Sequence, residues 1–145
     1  MKKIGILAFL ALFSVGCKQT IVPADIAKMN GYWEIERVDL PDADHKEYRM
    51  NETFDYFEIK NNVGFRKKVM PQLNGTFLVN DAFENVKVLF KEDQVMVEFK
   101  TKFATMTEEL IEISDKIMIL KNNQDVEYQY KKAAAIDFTK DYEKK

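Results

Sequence analysis

A single histidine limits the side-chain chemistry open to this chain of 145 residues. His45 lies among Asp42, Asp44 and Glu47, and imidazole and carboxylate groups of this kind can bind a divalent cation. The acids are loosely spaced and no second His joins them, so a solvated loop explains the pattern better than a metal site. A His-dependent catalytic triad would also require His45, which has no Ser or Cys nearby in the sequence. We therefore predict no metal and no cofactor.

Three carboxylates, Glu108, Glu109 and Glu112, are the other candidates for acid–base chemistry. A glycosidase would need two of them to face each other across a substrate. Their spacing instead predicts the outer face of one strand, and we expect the protein not to be an enzyme. A basic run, Arg66 to Lys68, places charge on both faces of its segment. It is interpreted as a solvated edge strand, with a patch for an anionic partner as the alternative.

Charge and composition narrow the class of protein. The 22 Lys and Arg nearly balance the 24 Asp and Glu, which argues against nucleic-acid binding because that function usually needs a basic field. Hydrophobic residues make up 46% of the chain, enough for one globular domain. The lone cysteine, Cys17, excludes an intramolecular disulfide.

The N-terminus is typical of a secretory signal peptide. Lys2 and Lys3 precede an apolar run from Ile4 to Val15, which is shorter than the roughly 20 residues of a membrane-spanning helix. Cys17 follows directly after Gly16, and the stretch 14–17 resembles the lipobox of bacterial lipoproteins. The resemblance implies cleavage before Cys17 and acylation of its thiol and new amino group. The anchor would lie in the outer membrane, on the periplasmic side, with surface display as the alternative.

After residue 24 the sequence is dominated by short segments with period-two alternation. Pro23 to Met29 predicts one or two helical turns, ended by Gly31. Alternation of apolar and charged residues from Trp33 to Arg37 predicts a first strand. Eight more strands are predicted at Thr53–Lys60, Gly64–Met70, Gly75–Val79, Val86–Lys91, Val95–Lys100, Thr107–Ser114, Lys116–Lys121 and Val126–Lys131.

Turn residues such as Asn61-Asn62 and Asn122-Asn123 separate these strands, so neighbouring strands should pair as antiparallel hairpins. One connection, Leu40 to Glu52, is long and is predicted as a loop. The predicted fold is therefore all-β: an antiparallel up-and-down barrel of about eight strands with a short N-terminal helical turn, a sandwich being the alternative. A barrel of this size can hold side chains or one small ligand.

The helical turn, the Gly31-Tyr32-Trp33 motif, the long first loop and the hairpin meander together resemble a lipocalin, and more closely the lipocalin-like lipoproteins of Bacteroidetes. The resemblance implies that Trp33 packs at the closed end of the barrel with an Arg of the last strand across it. Here Lys131 and Lys132 are the basic residues of that strand. The predicted parts are a signal peptide at 1–16, a lipidated tether at 17–24, a barrel at 25–132 and a tail at 133–145.

Ligand-binding residues are predicted from the strand period. If Trp33 faces inward, Arg37 does so too and could bind a carboxylate or phosphate, although an Arg reaching water from a strand end is the alternative. The inward aromatic candidates are Phe90, Phe99, Tyr128 and Tyr130. The leading hypothesis is a membrane-anchored binding protein for a small apolar or amphipathic ligand. The alternative is a filled barrel whose loops contact a protein partner in the cell envelope.

Overall fold

Each of the nine predicted strands is present in the computed structural model of the chain, which describes residues 18–42, 44–48 and 51–133. The boundaries differ from the predicted ones by a few residues. The elements are a 3₁₀ helix at Pro23–Met29 followed by β1 Gly31–Asp39, β2 His45–Glu47, β3 Phe54–Lys60, β4 Val63–Pro71, β5 Phe77–Val79, β6 Glu84–Phe90, β7 Val95–Lys100, β8 Thr105–Ile113, β9 Ile117–Lys121 and β10 Glu127–Lys132.

Eight of these strands close into a ring in the order β1, β3, β4, β6, β7, β8, β9 and β10, and β10 pairs back to β1. All pairings are antiparallel. The predicted fold class, an up-and-down barrel with a short N-terminal helical turn, is confirmed. Closure gives both edges of each long strand a hydrogen-bonding partner, which removes the exposed edges of an open sheet.

Two short strands lie outside the ring. β5 pairs with β4, and β2 pairs with β1 opposite Val38. The prediction of a loop from residue 40 to 52 was wrong at β2, since His45, Lys46 and Glu47 form a strand there. All three side chains are exposed, so they show no alternation of apolar and polar residues, and only pairing with β1 defines the strand.

The hairpin between β3 and β4 explains how the polar side chains of the interior come into register. Asn61 and Asn62 both have positive φ angles, 53° and 64°, as a two-residue type I′ turn requires. This turn sets Phe57 opposite Arg66 and Asp55 opposite Lys68. The interpretation of residues 66–68 as a solvated edge was wrong at Arg66, which pairs with Phe57 of β3 and with Glu84 of β6 and is buried. Lys67 and Lys68 pair only with β3.

The 3₁₀ helix covers one end of the barrel, here called the closed end. Pro23 begins it and Asp25 accepts a hydrogen bond from the backbone N–H of Val22 at 3.0 Å. Ile26 and Met29 are buried and join the apolar interior of the barrel. No helix in the described ranges is long and apolar enough to cross a membrane. The predicted signal peptide, Cys17 and residues 134–145 of the predicted tail lie outside the described residues.

Candidate functional site

Trp33 is fixed at the closed end by contacts with the helix and the last strand. Its side chain has no exposed surface, and its Nε1 donates a hydrogen bond to the Met29 carbonyl oxygen at 2.8 Å. Lys132 Nζ lies 4.3 Å from the centre of the Trp33 ring and donates to the carbonyl oxygens of Lys28 and Asn30. Burial lowers the pKa of Lys132. The prediction that Trp33 is a core aromatic is confirmed, and Lys132 is the basic residue beside it.

Gly31 makes this arrangement sterically feasible. Its φ angle is +109°, a value that residues with a Cβ rarely adopt, and a Cβ there would lie 3.1 Å from Lys132 Cε. The Gly-x-Trp motif thus has a physical basis in this chain. Glycine leaves room for the Lys132 side chain, and Trp33 supplies the ring face against which the ammonium group lies.

Most of the barrel interior is packed with apolar side chains. The side chains exposed by less than 2% are Trp33, Phe57, Phe99, Met29, Leu110, Ile113, Met118, Leu120 and Val97. They belong to one cluster with the helix residues and the inward positions of β6. Close packing of this kind stabilises the barrel and favours side chains over a ligand as the filling of its interior.

The predicted aromatic candidates do not line a common pocket. Phe99 and Tyr130 are buried in the core cluster, and Tyr128 packs against it. Phe90 ends β6 at the closed end and is 37% exposed, whereas Phe99 lies near the other end of the paired strand β7. Phe99, Tyr128 and Tyr130 therefore face the interior, but they pack at different positions along the barrel axis.

The inward placement of Arg37 was wrong. β1 and β10 pair in regular register as far as Ile35 and Tyr130, and a β-bulge then pairs Arg37 with Gln129. Tyr130 is buried, so its neighbour Gln129 faces outward. Arg37, which lies opposite Gln129, therefore faces outward too. The Arg37 side chain is 43% exposed and its Nε donates to Asp39 Oδ1 at 2.6 Å. One inserted residue reverses the face that simple alternation assigns.

Charged side chains occupy the other end of the interior, here called the open end. Arg66 of β4 forms an ion pair with Glu84 of β6, with Nε 2.5 Å from Oε2. Its Cζ lies 4.0 Å from the centre of the Phe99 ring and 5.9 Å from that of Phe57. Burial lowers the pKa of Arg66, but the charges of Asp55 and Glu84 outweigh burial and raise it overall.

Two further carboxylates belong to this inner cluster, defined by Asp55, Arg66, Lys68, Glu84 and Glu108. Asp55 is 2% exposed, and its Oδ1 lies 2.6 Å from Lys68 Nζ in an ion pair outside hydrogen-bond geometry. Glu108 Oε2 is buried and has no hydrogen-bond partner among the described residues. Burial raises the pKa of Glu108, with the charges of Glu84 and Asp55 adding to the effect and that of Arg66 opposing it.

Glu108 therefore does not share the outer face predicted for the three carboxylates of β8. It pairs with buried Val97, whereas Glu109 pairs with Met96 and forms ion pairs with Lys18 and Lys121. Sequence reasoning missed the inner cluster because charged residues are expected outside a barrel. The signal was present in β3, where Asp55 shares its face with the apolar Phe57 and Ile59.

Two adjoining depressions open beside the inner cluster. The smaller, of about 240 Å³, is lined by Arg66, Lys68, Asn80, Ala82, Phe83, Glu84 and Thr101. The larger, of about 530 Å³, is lined by Asp81, Ala82, Phe83, Asn85, Lys100, Thr101, Lys102 and Phe103. Ala82, Phe83 and Thr101 border both. The lining of the two depressions includes four basic and two acidic side chains and the rings of Phe83 and Phe103.

The described residues do not offer a set of side chains that could bind a metal ion. Within residues 18–42, 44–48 and 51–133, no three His, Cys, Asp or Glu side chains converge so as to hold a metal ion. His45 Nε2 lies 3.8 Å from Glu47 Oε1 on the exposed strand β2.

Comparison with known proteins gives two similar solved structures. No protein-family model and no curated protein matches the chain. A lipocalin-like protein from Bacteroides uniformis is 9% identical with a TM-score of 0.46, over 73% of this chain and 99% of that chain. An uncharacterized protein from Bacteroides eggerthii is 13% identical with a TM-score of 0.46, over 72% of this chain and 99% of that chain.

Proposed function

We propose that this protein is a lipocalin-like binding protein that takes up a small amphipathic molecule with an anionic group at the open end of its barrel. The observation that carries the proposal is the position of Arg66, buried inside the barrel yet lining a depression that opens to solvent. Burying a charged group costs free energy, and an apolar residue would usually fill a barrel at lower cost. A charged interior beside an open depression is more useful for recognition than for stability.

The chemistry of the depressions supports an anion with an apolar part. A guanidinium has five N–H donors, and Glu84 engages those of only two nitrogens of Arg66. Lys68 is 57% exposed beside it, and Lys100 and Lys102 line the larger depression. The exposed rings of Phe83 and Phe103 can cover an alkyl or aromatic body. This site replaces the one predicted around Arg37.

The proposal includes attachment to the membrane through Cys17. The signal-peptide and lipobox patterns support it, and acyl chains contribute about 0.8 kcal/mol of membrane affinity per buried CH₂. We place the anchor in the outer membrane on the periplasmic side, with a binding rather than a catalytic role. Radiolabelled fatty acid should be incorporated into the wild type and not into a Cys17→Ser variant.

Ligand binding is tested with protein that carries Cys17→Ser, so that no attached acyl chain occupies the site. An anilinonaphthalene dye should gain fluorescence on binding, and dodecanoate should displace it better than dodecanol. Lys68→Met should reduce this preference about fivefold, which corresponds to ~1 kcal/mol for a partly exposed charge pair. Phe103→Ser should weaken the binding of both competitors.

Two controls use residues of the same type outside the proposed site. Arg37→Met removes a basic side chain from the outer face, and Leu73→Ser removes an exposed apolar residue from another turn at the open end. With either variant, dodecanoate should still displace the dye better than dodecanol. Equal effects of Arg37→Met and Lys68→Met, or no binding of dye and dodecanoate at micromolar concentration, would reject the proposal.

The second candidate is a protein-interaction module. Leu73 and Phe103, in turns at the open end, are 88% and 85% exposed, so both side chains are accessible to a protein partner. This second function is favoured if the protein binds no small ligand but purifies from its own host in a complex with another protein. Leu73→Ser or Phe103→Ser should then prevent formation of that complex.

A further inference from the structure

The first described residues are fastened to the barrel wall. Gln19 bridges the backbone of Ile113 with two hydrogen bonds, as donor through Nε2 at 3.0 Å and as acceptor through Oε1 at 2.9 Å. Lys18 Nζ forms an ion pair with Glu109 and a hydrogen bond to the Asp93 carbonyl oxygen at 3.3 Å. Ile21 packs against the core cluster. We call residues 18–22 the clamp, since these contacts hold the segment against the outside of the barrel.

The clamp lies beside β8 and the β6–β7 turn, on one side of the barrel. Ile113 ends β8 at the closed end, and Asp93 lies in the turn between β6 and β7 at the same end. In the ring of eight strands, β1 and β3 lie opposite β8 and β7. The hairpin of β4 and β5 belongs to that opposite side, because Phe77 of β5 stacks on Tyr32 of β1 at 4.4 Å.

Covalent geometry links the clamp to the membrane. The Cα of any residue next to Lys18 is about 3.8 Å from the Lys18 Cα, so no flexible spacer separates a lipid-bearing Cys17 from the clamp. Apolar side chains that are exposed at the closed end, Val22, Val63 and Phe90, could contact the lipid surface. The six residues of β7 span about 20 Å, which separates the closed end from the depressions at the open end.

We infer that the clamp orients the barrel on the membrane. The closed end and the adjoining side formed by β7 and β8 lie against the lipid surface, and the open end faces away from it. This inference rests on the lipid attachment proposed at Cys17. Its consequence is that ligand exchanges with the aqueous phase or with a partner protein and not directly with the bilayer that carries the anchor.

The test uses the lipidated full chain in phosphatidylcholine vesicles that contain a headgroup spin-labelled lipid. Lipidation occupies the only native thiol, so a single introduced cysteine can carry a fluorophore. Glu92→Cys places it in the turn beside the clamp, and Asn74→Cys places it in the β4–β5 turn on the opposite side; both positions are exposed. We expect stronger quenching of the label at position 92 than of the label at position 74. Equal quenching, or the reverse order, overturns the inference.

A second variant separates the clamp from the other contacts of the barrel. Lys18→Ala together with Gln19→Ala removes the ion pair and both hydrogen bonds to Ile113, and the quenching difference should then be lost. Gln124→Ala, an exposed glutamine at the open end, is the matched control and should keep it. If the double variant keeps the full difference, the clamp does not set the orientation. Flotation of the vesicles tests the lipid attachment separately, because chains without an acyl group stay at the bottom of the gradient.

Discussion

The guanidinium carbon of Arg66 lies 4.0 Å from the centre of the Phe99 ring, on the inside of the barrel. An arginine over an aromatic face gains cation–π attraction that increases as water is excluded. Arg66 also donates a charge-assisted hydrogen bond from Nε to the Glu84 carboxylate. The apolar core and the charged open end meet at this contact.

Removing Arg66 should destabilise the barrel. Arg66→Met leaves the buried carboxylate of Asp55 and the partly exposed carboxylate of Glu84 with less compensating charge, and breaking a buried ion pair typically costs about 3–5 kcal/mol. The free energy of unfolding in urea measures the effect. Arg37→Met, on the exposed outer face, should change it by less than about 0.5 kcal/mol. An Arg66→Met variant as stable as the wild type would mean that the ion pair with Glu84 contributes nothing to the fold.

Neighbouring glutamates of β8 should give opposite pH dependences of stability. The pKa of Glu108 is raised from 4.5 by burial, so the folded state binds its proton more tightly than the unfolded state. Stability then falls as pH rises from 4.5 through the raised value. Glu108→Gln removes this loss, and the variant should become more stable relative to the wild type as pH rises through that window.

Glu109 should behave in the reverse way. Burial raises its pKa, but the ammonium groups of Lys18 and Lys121 outweigh burial and lower it below 4.5. Its contribution to stability is present above 4.5 and is lost as pH falls through the lowered value. Glu109→Gln should therefore become less stable relative to the wild type as pH rises through that range. Urea unfolding at a series of pH values measures both variants, and slopes of the same sign would contradict their opposite orientations.

The closed end should depend on Trp33 and on Lys132 to different extents. Trp33→Ala deletes a fully buried ring and should cost about 3–5 kcal/mol. Lys132→Met leaves the carbonyl oxygens of Lys28 and Asn30 without this donor and should cost about 1–3 kcal/mol. Lys131→Met is the control, because Lys131 forms only a partly exposed ion pair with Glu34. If Lys131→Met and Lys132→Met are equally destabilising, the position of Lys132 beside the ring has no special importance.

The barrel and most of its strands could be predicted from the sequence, because alternation and turn residues are local signals. The paired Asn61 and Asn62 predict a tight turn, and Val95 to Lys100 alternates without interruption; the structure has both features. Trp33 could also be placed, because a buried aromatic near the start of β1 fits both the strand period and the lipocalin resemblance.

Only the tertiary structure decided which charged residues face the interior. The period of a strand relates the faces of successive residues, but a bulge shifts that relation, and the bulge after Ile35 turned Arg37 outward. Glu108 and Arg66 face inward because pairing with Val97 and Phe57 puts them there, against the usual preference of charges for water. The burial of Arg66 is compensated by Glu84 and the Phe99 ring, partners that are distant in the sequence and adjacent only after the barrel has closed.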